Sequence, residues 1–226
     1  LQDPNDPVMA AFVMSGTAQP HAPGIETLGS INYQPFWCFY RSAQPLTIQS
    51  REVYLLTKPV NIGTPGSGTF LFANRVLSMS GLATDHPNLK HQPDDLAIDA
   101  LRKGLLDGLC IVDMYESPNV QKLLNMEGLQ VSAFERADAF ARLASSIEMV
   151  SIPQGALDLP SNRPAQPVQL IAATTELVID QRLHPAIQTL FLMAAKAIDG
   201  KQSFFSQEGE FPAYKDSALR RSKEAD

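Results

Sequence analysis

Short apolar runs bounded by glycine, proline and polar clusters alternate along this chain with segments whose apolar residues recur every three to four positions. The first kind predicts strands and the second predicts helices. Strands are expected at 7–13, across 28–40, and at 60–62, 105–112, 131–134 and 168–179. The 28–40 stretch holds Ile31, Tyr33, Phe36, Trp37, Phe39 and Tyr40, a density of aromatic and β-forming side chains that suits strands. Helices are expected at 70–79, 94–103, 117–126, 137–143 and 185–198. Ser117 followed by Pro118 marks one helix start, since serine caps the first N–H groups and proline lacks the N–H that would otherwise go unpaired. In the last helix Ile187, Leu190, Phe191, Ala194 and Ile198 share a face, which predicts a core stripe. The closing Arg220-Arg221-Ser222-Lys223 predicts a solvated tail.

Strands alternating with helices imply an α/β sheet, and such sheets bind ligands at the carboxyl ends of their strands. Three loops meet that condition: Ser15-Gly16-Thr17, the glycine-rich turn from Gly63 to Thr69, and the 113–117 loop. If the first belongs to one lobe and the others to a second, they form a ligand clamp. The turn Gly63-Thr64-Pro65-Gly66-Ser67-Gly68-Thr69 is the most informative of them, because it opens a helix. N–H groups at a helix start lack intrahelical partners and sit at the positive end of the dipole, so glycines beside them make a cradle for an anion.

The letters restrict which anion. Gly63 and Gly68 have the spacing of a P-loop, but Thr69 stands where its lysine must be. Leu71 occupies the position of the third glycine of a dinucleotide fingerprint, and Pro65 replaces the first glycine of a hydrolase elbow. A neutral cradle for a small carboxylate survives, beside the plainer reading of Ser67 or Thr69 as a helix cap without a ligand.

Composition narrows the partners. The 226 residues are 44% hydrophobic, enough for one large domain or two lobes, and the net charge of −6 with a pI near 5.2 opposes nucleic-acid and anionic-membrane binding. No apolar run approaches the roughly 20 residues of a membrane span. Cys38 and Cys110 lie in separate apolar runs and read as two isolated buried thiols, uninformative about compartment. Asp85, His86, His91, Asp94 and Asp95 fit no metal spacing, and His21 and His184 sit beside prolines as turn or helix-start residues. No cofactor and no metal are therefore expected, and no catalysis.

Val60-Asn61-Ile62-Gly63-Thr64-Pro65-Gly66-Ser67-Gly68-Thr69, then Asn74-Arg75-Val76-Leu77, Gly81-Leu82, the 98–108 segment, Ser117-Pro118-Asn119-Val120-Gln121, Ile152-Pro153-Gln154-Gly155 and Thr174-Thr175-Glu176-Leu177-Val178 resemble, in order, the TAXI-type solute receptors of TRAP transporters. The resemblance implies an α/β, two-lobed periplasmic binding protein type II-like fold with crossing hinge strands. Lobe I would comprise 1–46 and 166–226, and lobe II 47–165. It implies capture of a small organic acid or amino acid in the periplasm, membrane permease subunits as partners, and anchoring through segments outside this chain. Leu1 falls just before the family's third strand, so the first lobe is expected to be truncated, with an exposed sheet edge suited to a homodimer. Met14-Ser15-Gly16 departs from the family's pattern, which leaves the ligand open. The expected ligand contacts are Ser15, Gly16, Thr17 and Tyr33 from one lobe, and Gly66, Ser67, Gly68, Thr69, Asp113 and Glu116 from the other. Tyr33 reads equally as a core aromatic, and Asp113 and Glu116 as caps of the next helix. The alternative function is the ligand-sensing domain of a regulator or membrane receptor.

Overall fold

A computed structural model of the protein describes residues 7–19, 21–42, 46, 54, 55, 57–216 and 218–225. Most of the polar 43–58 segment lies outside the described residues. The chain forms two compact units: unit 1 holds residues 1–34, 141–148 and 172–226, and unit 2 holds 35–140 and 149–171. The sequence-based lobe boundaries at 46/47 and 165/166 thus lie some residues away from the divisions at 34/35 and 171/172.

In unit 1, β1 (Ala10–Met14) runs antiparallel to β8 (Val168–Asp180), with Ala10 opposite Ile179 and Met14 opposite Thr175. Strand β8 lies between β1 and β2 (Ile25–Arg41), and β1 ends the strand order as an edge. One face of this sheet packs Leu28, Ile31, Leu177 and Ile179 against Leu183 and Ala195; the other packs Ile25 and Val178 against Ala22 and Leu219. The charged C-terminal segment is not a free tail. Arg220–Arg221 forms β9, parallel to Glu26 and Thr27 of β2, and Ser222 donates to the Gln188 side chain at 2.6 Å. Backbone pairing with β2 needs no apolar side chain, so hydropathy missed it.

The centre of unit 1 is polar. Glu176 of β8 is 1% exposed and accepts hydroxyl bonds from Thr27 (2.9 Å), Thr174 (3.1 Å) and Ser30. Three donors satisfy the carboxylate, but burial still raises its pKa above the ordinary 4.5, against the pull of those hydroxyls and helped by nearby Asp216.

In unit 2, β2 continues as the partner of β5 (Gly108–Val112), antiparallel, with Phe36 opposite Val112 and Tyr40 opposite Gly108. Strand β6 (Leu129–Val131) pairs with β2 as well. Strand β3 (Val60–Asn61) is parallel to β5, and β4 (Leu89–Lys90) is parallel to β3. Strand β7 (Glu148–Ile152), which the sequence reading did not include, pairs with β8. Helix α1 (Gly68–Met79) buries Thr69, Phe72, Ala73, Val76 and Leu77, one face at helical spacing, and Leu82 closes it by donating to the Leu77 carbonyl past Gly81. Helix α2 (Asp94–Arg102) follows β4, and α3 (Pro118–Leu124) starts at its Ser117 cap as expected. Helix α4 spans Ala137–Leu143, and in unit 1 α5 spans Pro185–Asp199, capped by His184.

Two expectations are overturned. Cys38 and Cys110 are not isolated thiols. They sit directly opposite each other on β2 and β5 and form a disulfide, a pairing that 72 residues of separation conceal in the sequence. Of the α5 stripe, Phe191 packs against the unit 1 core but the rest does not. Gln188 and Ala195 are the buried residues of α5, whereas Ile187, Leu190 and Ile198 are exposed, because the helix turns its other face to the sheet.

The disulfide closes a loop long enough that replacing both cysteines by alanine is expected to lower stability by about 4 kcal/mol in the chain-entropy account, measured by urea unfolding. For Glu176 the folded state holds its proton to a higher pH than the unfolded chain does. Stability should therefore fall as pH rises from near 4.5 through the raised pKa. Glu176→Gln is expected to flatten that slope in melts taken across the same pH range.

Candidate functional site

Because β3, β4 and β5 are parallel, their carboxyl ends open on one edge of the unit 2 sheet and the three following segments converge there. Asn61, fully buried at the end of β3, binds both backbone groups of Gln92: its amide donates to the Gln92 carbonyl at 3.2 Å and its oxygen accepts from the Gln92 N–H at 2.7 Å. This fixes the segment after β4. His91 then lies with Nδ1 3.3 Å from the Gly63 carbonyl and its ring edge-on to Phe70, with centroids 5.3 Å apart. After β5, the Trp37 indole N–H donates to the Asp113 carbonyl at 2.9 Å and holds that loop from β2.

The turn between β3 and α1 is shaped by glycine. Gly63 has φ +84°, and a Cβ there would come within 2.8 Å of Ser67 Oγ and 2.9 Å of Thr69 Cβ, so the helix start packs directly on its Cα. Gly66, at φ +86°, faces open space. Ser67 caps α1 by accepting the Phe70 N–H at 3.1 Å, and Thr69 accepts the Val112 N–H at 3.0 Å, which ties the cradle to the end of β5. Both hydroxyls act as acceptors and keep their own protons to donate. Among the described residues neither O–H, nor the N–H of Gly68 or Thr69, has a protein acceptor. The result is a set of donors at the positive end of a 12-residue helix.

One carboxylate, Asp113, follows Val112, whose N–H Thr69 accepts. Asp94 opens α2 beside Asp113, and its pKa is raised first by burial and then by the charges of Asp113 and Asp95. Asp113 accepts its neighbour Met114 N–H at 2.8 Å, while Glu116 is exposed. Beneath α1 lies a separate apolar cavity of ≈ 140 Å³, lined among others by Phe36, Ile62, Val76, Leu77 and Phe134 and by the disulfide; it does not reach Gly66–Thr69.

The remaining expected contacts belong to unit 1. The Ser15 hydroxyl donates to the Ser146 carbonyl at 2.9 Å and accepts from Thr174 N–H. The Gly16 N–H donates to Asp216 at 3.0 Å, and Thr17 bonds back to the Met14 carbonyl at 2.6 Å. Tyr33 donates to Glu210 at 2.6 Å, accepts from Lys215 at 2.7 Å and lies edge-on to Phe211. Burial and the Glu210 carboxylate push its phenol well above the ordinary range. These donors are committed within unit 1, unlike those of the cradle. The Arg41 guanidinium donates to the Leu101 carbonyl at 2.7 Å. Among the described residues no cluster of three or more His, Cys, Asp or Glu side chains is placed to hold a metal. Sequence reading missed the supporting roles of Asn61, His91 and Trp37. A polar residue inside the Val60–Ile62 apolar run was the available signal for the first.

No protein-family model and no curated protein matches the chain. Among solved structures, a full-length BenM variant superposes with a TM-score of 0.52 at 9% identity over 84% of this chain, which spans 50% of that protein. The BenM effector binding domain with its effector benzoate gives a TM-score of 0.49 at 9% identity, over 84% of this chain and 69% of that one. The periplasmic aliphatic sulphonate binding protein SsuA from Escherichia coli gives 0.43 at 15% identity, over 77% and 46%. The chain has a type II periplasmic-binding-protein fold. Identity this low establishes the fold and leaves function to the site.

Gly63→Ala combines left-handed backbone strain with a contact shorter than 3 Å and is expected to cost about 2–4 kcal/mol. Gly66→Ala meets only the strain, about 1 kcal/mol. Urea melts of the two variants should rank them in that order.

Proposed function

We propose that the protein captures a small organic acid or amino acid by seating its carboxylate on the N–H groups of Gly68 and Thr69 and the hydroxyls of Ser67 and Thr69. The observation that carries this is the set of four donors without protein acceptors at the start of α1, where a singly charged ligand needs no lysine. Asp113, one residue after the Val112 that bonds Thr69, and Asp94 close to Asp113 are proposed to disfavour a polyanion such as a phosphate ester and to suit an amine on the same ligand. Gly66 and Glu116, in the same unit, are further proposed contacts. The role we propose is binding without chemistry.

The setting we propose is extracytoplasmic, as the solute receptor of a TRAP-type transporter of the TAXI kind, delivering ligand to membrane permease subunits. The Cys38–Cys110 disulfide supports that setting, because such bonds persist in oxidising compartments and are rare in the cytosol. The same fold also serves as the sensing domain of regulators and receptors. For a cytosolic regulator the disulfide is the observation out of place. No helix among the described residues is long and apolar enough to cross a membrane.

A thermal-shift screen of mono- and dicarboxylates and amino acids tests the reading. A ligand at about 100 times its Kd adds about 2.7 kcal/mol of stability, a shift large enough to read. Ser67→Ala should weaken the best acid's shift about tenfold in concentration, beyond the loss of the helix cap that lowers the unliganded melt by about 1 kcal/mol. A panel in which no acid stabilises the protein, or in which Ser67→Ala responds as the wild type does, contradicts the proposal.

A further inference from the structure

The covalent link between β2 and β5 sits near the end of their ladder, where backbone bonds thin out. The Arg41 N–H donates to the Asp107 carbonyl at 2.9 Å, and the Asp113 N–H donates to the Pro35 carbonyl at 3.3 Å. Antiparallel ladders alternate bonded and unbonded pairs. Between those two limits Phe39 with Leu109 and Trp37 with Ile111 are therefore bonded pairs, whereas Cys38 with Cys110 and Phe36 with Val112 are unbonded. Asp113 opposite Pro35 has one bond instead of two, because proline has no N–H to give. In an unbonded pair the N–H points away from the partner strand, and that of Val112 reaches Thr69, which accepts it at 3.0 Å. Two residues separate Cys110 from Val112, and Cys38 directly follows Trp37, whose indole N–H holds the Asp113 carbonyl at 2.9 Å. Both supports of the cradle thus start beside the disulfide.

We infer that the Cys38–Cys110 disulfide is a redox latch on the cradle: closed, it holds the end of β5, and with it Thr69 and the 113 loop, in place; opened by a dithiol, it releases them. The functional consequence, a weaker grip on the acid, rests on the carboxylate reading of the site; the release itself does not. Opening is a thiol–disulfide exchange. One thiolate of the dithiol attacks a cysteine sulfur, the S–S bond breaks and the other cysteine leaves as a thiolate; the second thiol then closes on the mixed disulfide. The dithiol ends as a cyclic disulfide, two electrons poorer, and its two protons end on Cys38 and Cys110. Cys38 is half-buried and Cys110 is 4% exposed, which directs the attack to Cys38. The bonded pairs at Phe39 and Trp37 keep β2 and β5 together after reduction, so the change is local to the strand end. In an oxidising compartment the latch is closed and the cradle is set.

Dithiothreitol added to the folded protein supplies the test. Two free thiols per chain should appear while the far-ultraviolet spectrum stays unchanged. The Val112 amide should then exchange at least tenfold faster, while the Thr174 amide, bonded to Ser15 Oγ in unit 1, keeps its rate. Emission from Trp37, the one tryptophan of the sequence and 0% exposed, should move to longer wavelength as its indole N–H leaves the Asp113 carbonyl for water. With acetate, succinate and L-glutamate as thermal-shift probes, the reduced protein should need at least tenfold more acid for the same shift. Cys38→Val with Cys110→Val, which keeps an apolar cross-strand pair without the bond, should match the reduced wild type and ignore dithiothreitol. A folded protein whose disulfide resists the dithiol overturns the latch, as does one whose Val112 exchange and Trp37 emission stay the same after reduction. Equal loss of protection at Val112 and Thr174 overturns it too, since that marks global destabilisation. If no acid shifts the oxidised melt, the carboxylate reading fails, and the exchange rates still decide the latch.

Discussion

The register of β2 against β5 is the constraint on which unit 2 depends. It places Cys38 opposite Cys110, where the two become covalently joined, and places Trp37 so that its indole N–H reaches the Asp113 carbonyl. Strand β5 in turn carries β3 in parallel, with Asn61 opposite Leu109, and Thr69 at the start of α1 accepts the Val112 N–H at the end of β5. A slip of one residue would turn Trp37, with no exposed surface, to the opposite face of the sheet and break the disulfide and the cradle together.

The two units treat polar groups in opposite ways. In unit 1, the hydroxyls of Thr27, Ser30 and Thr174 all point at Glu176, and those of Ser15 and Tyr33 are engaged by Ser146 and Glu210. Such a network is satisfied internally and contributes rigidity. In unit 2, the cradle hydroxyls are held in place by N–H groups of the protein and keep their own protons free. Donors aligned by protein contacts but lacking acceptors are what a binding site requires, because the geometry is set before the ligand arrives.

Much of the architecture was legible in local pattern. The capped helix starts at Ser67, Ser117 and His184 and the β2 and β8 strands follow from side-chain type and spacing. The glycine-shaped turn was legible too, since Gly63, Gly66 and Gly68 lead into a helix capped by Ser67. Pairings between distant segments were not: β9 against β2, β7 against β8, and the disulfide all depend on contacts with no local signature. The α5 stripe shows the same limit from the other direction. Periodicity marks an apolar face but not whether anything within the chain covers it.

What the sequence by itself determined is therefore the set of elements, the glycine-shaped turn, and the absence of the lysine that a nucleotide phosphate would need. Backbone conformation and side-chain type act within a few residues, and those features are local. Tertiary structure alone decided which hydroxyls are engaged and which remain free, that two cysteines 72 residues apart meet, and that one apolar helix keeps a bare face. Each of these depends on which surfaces the fold brings into contact, and burial is a property of neighbours rather than of the residue itself.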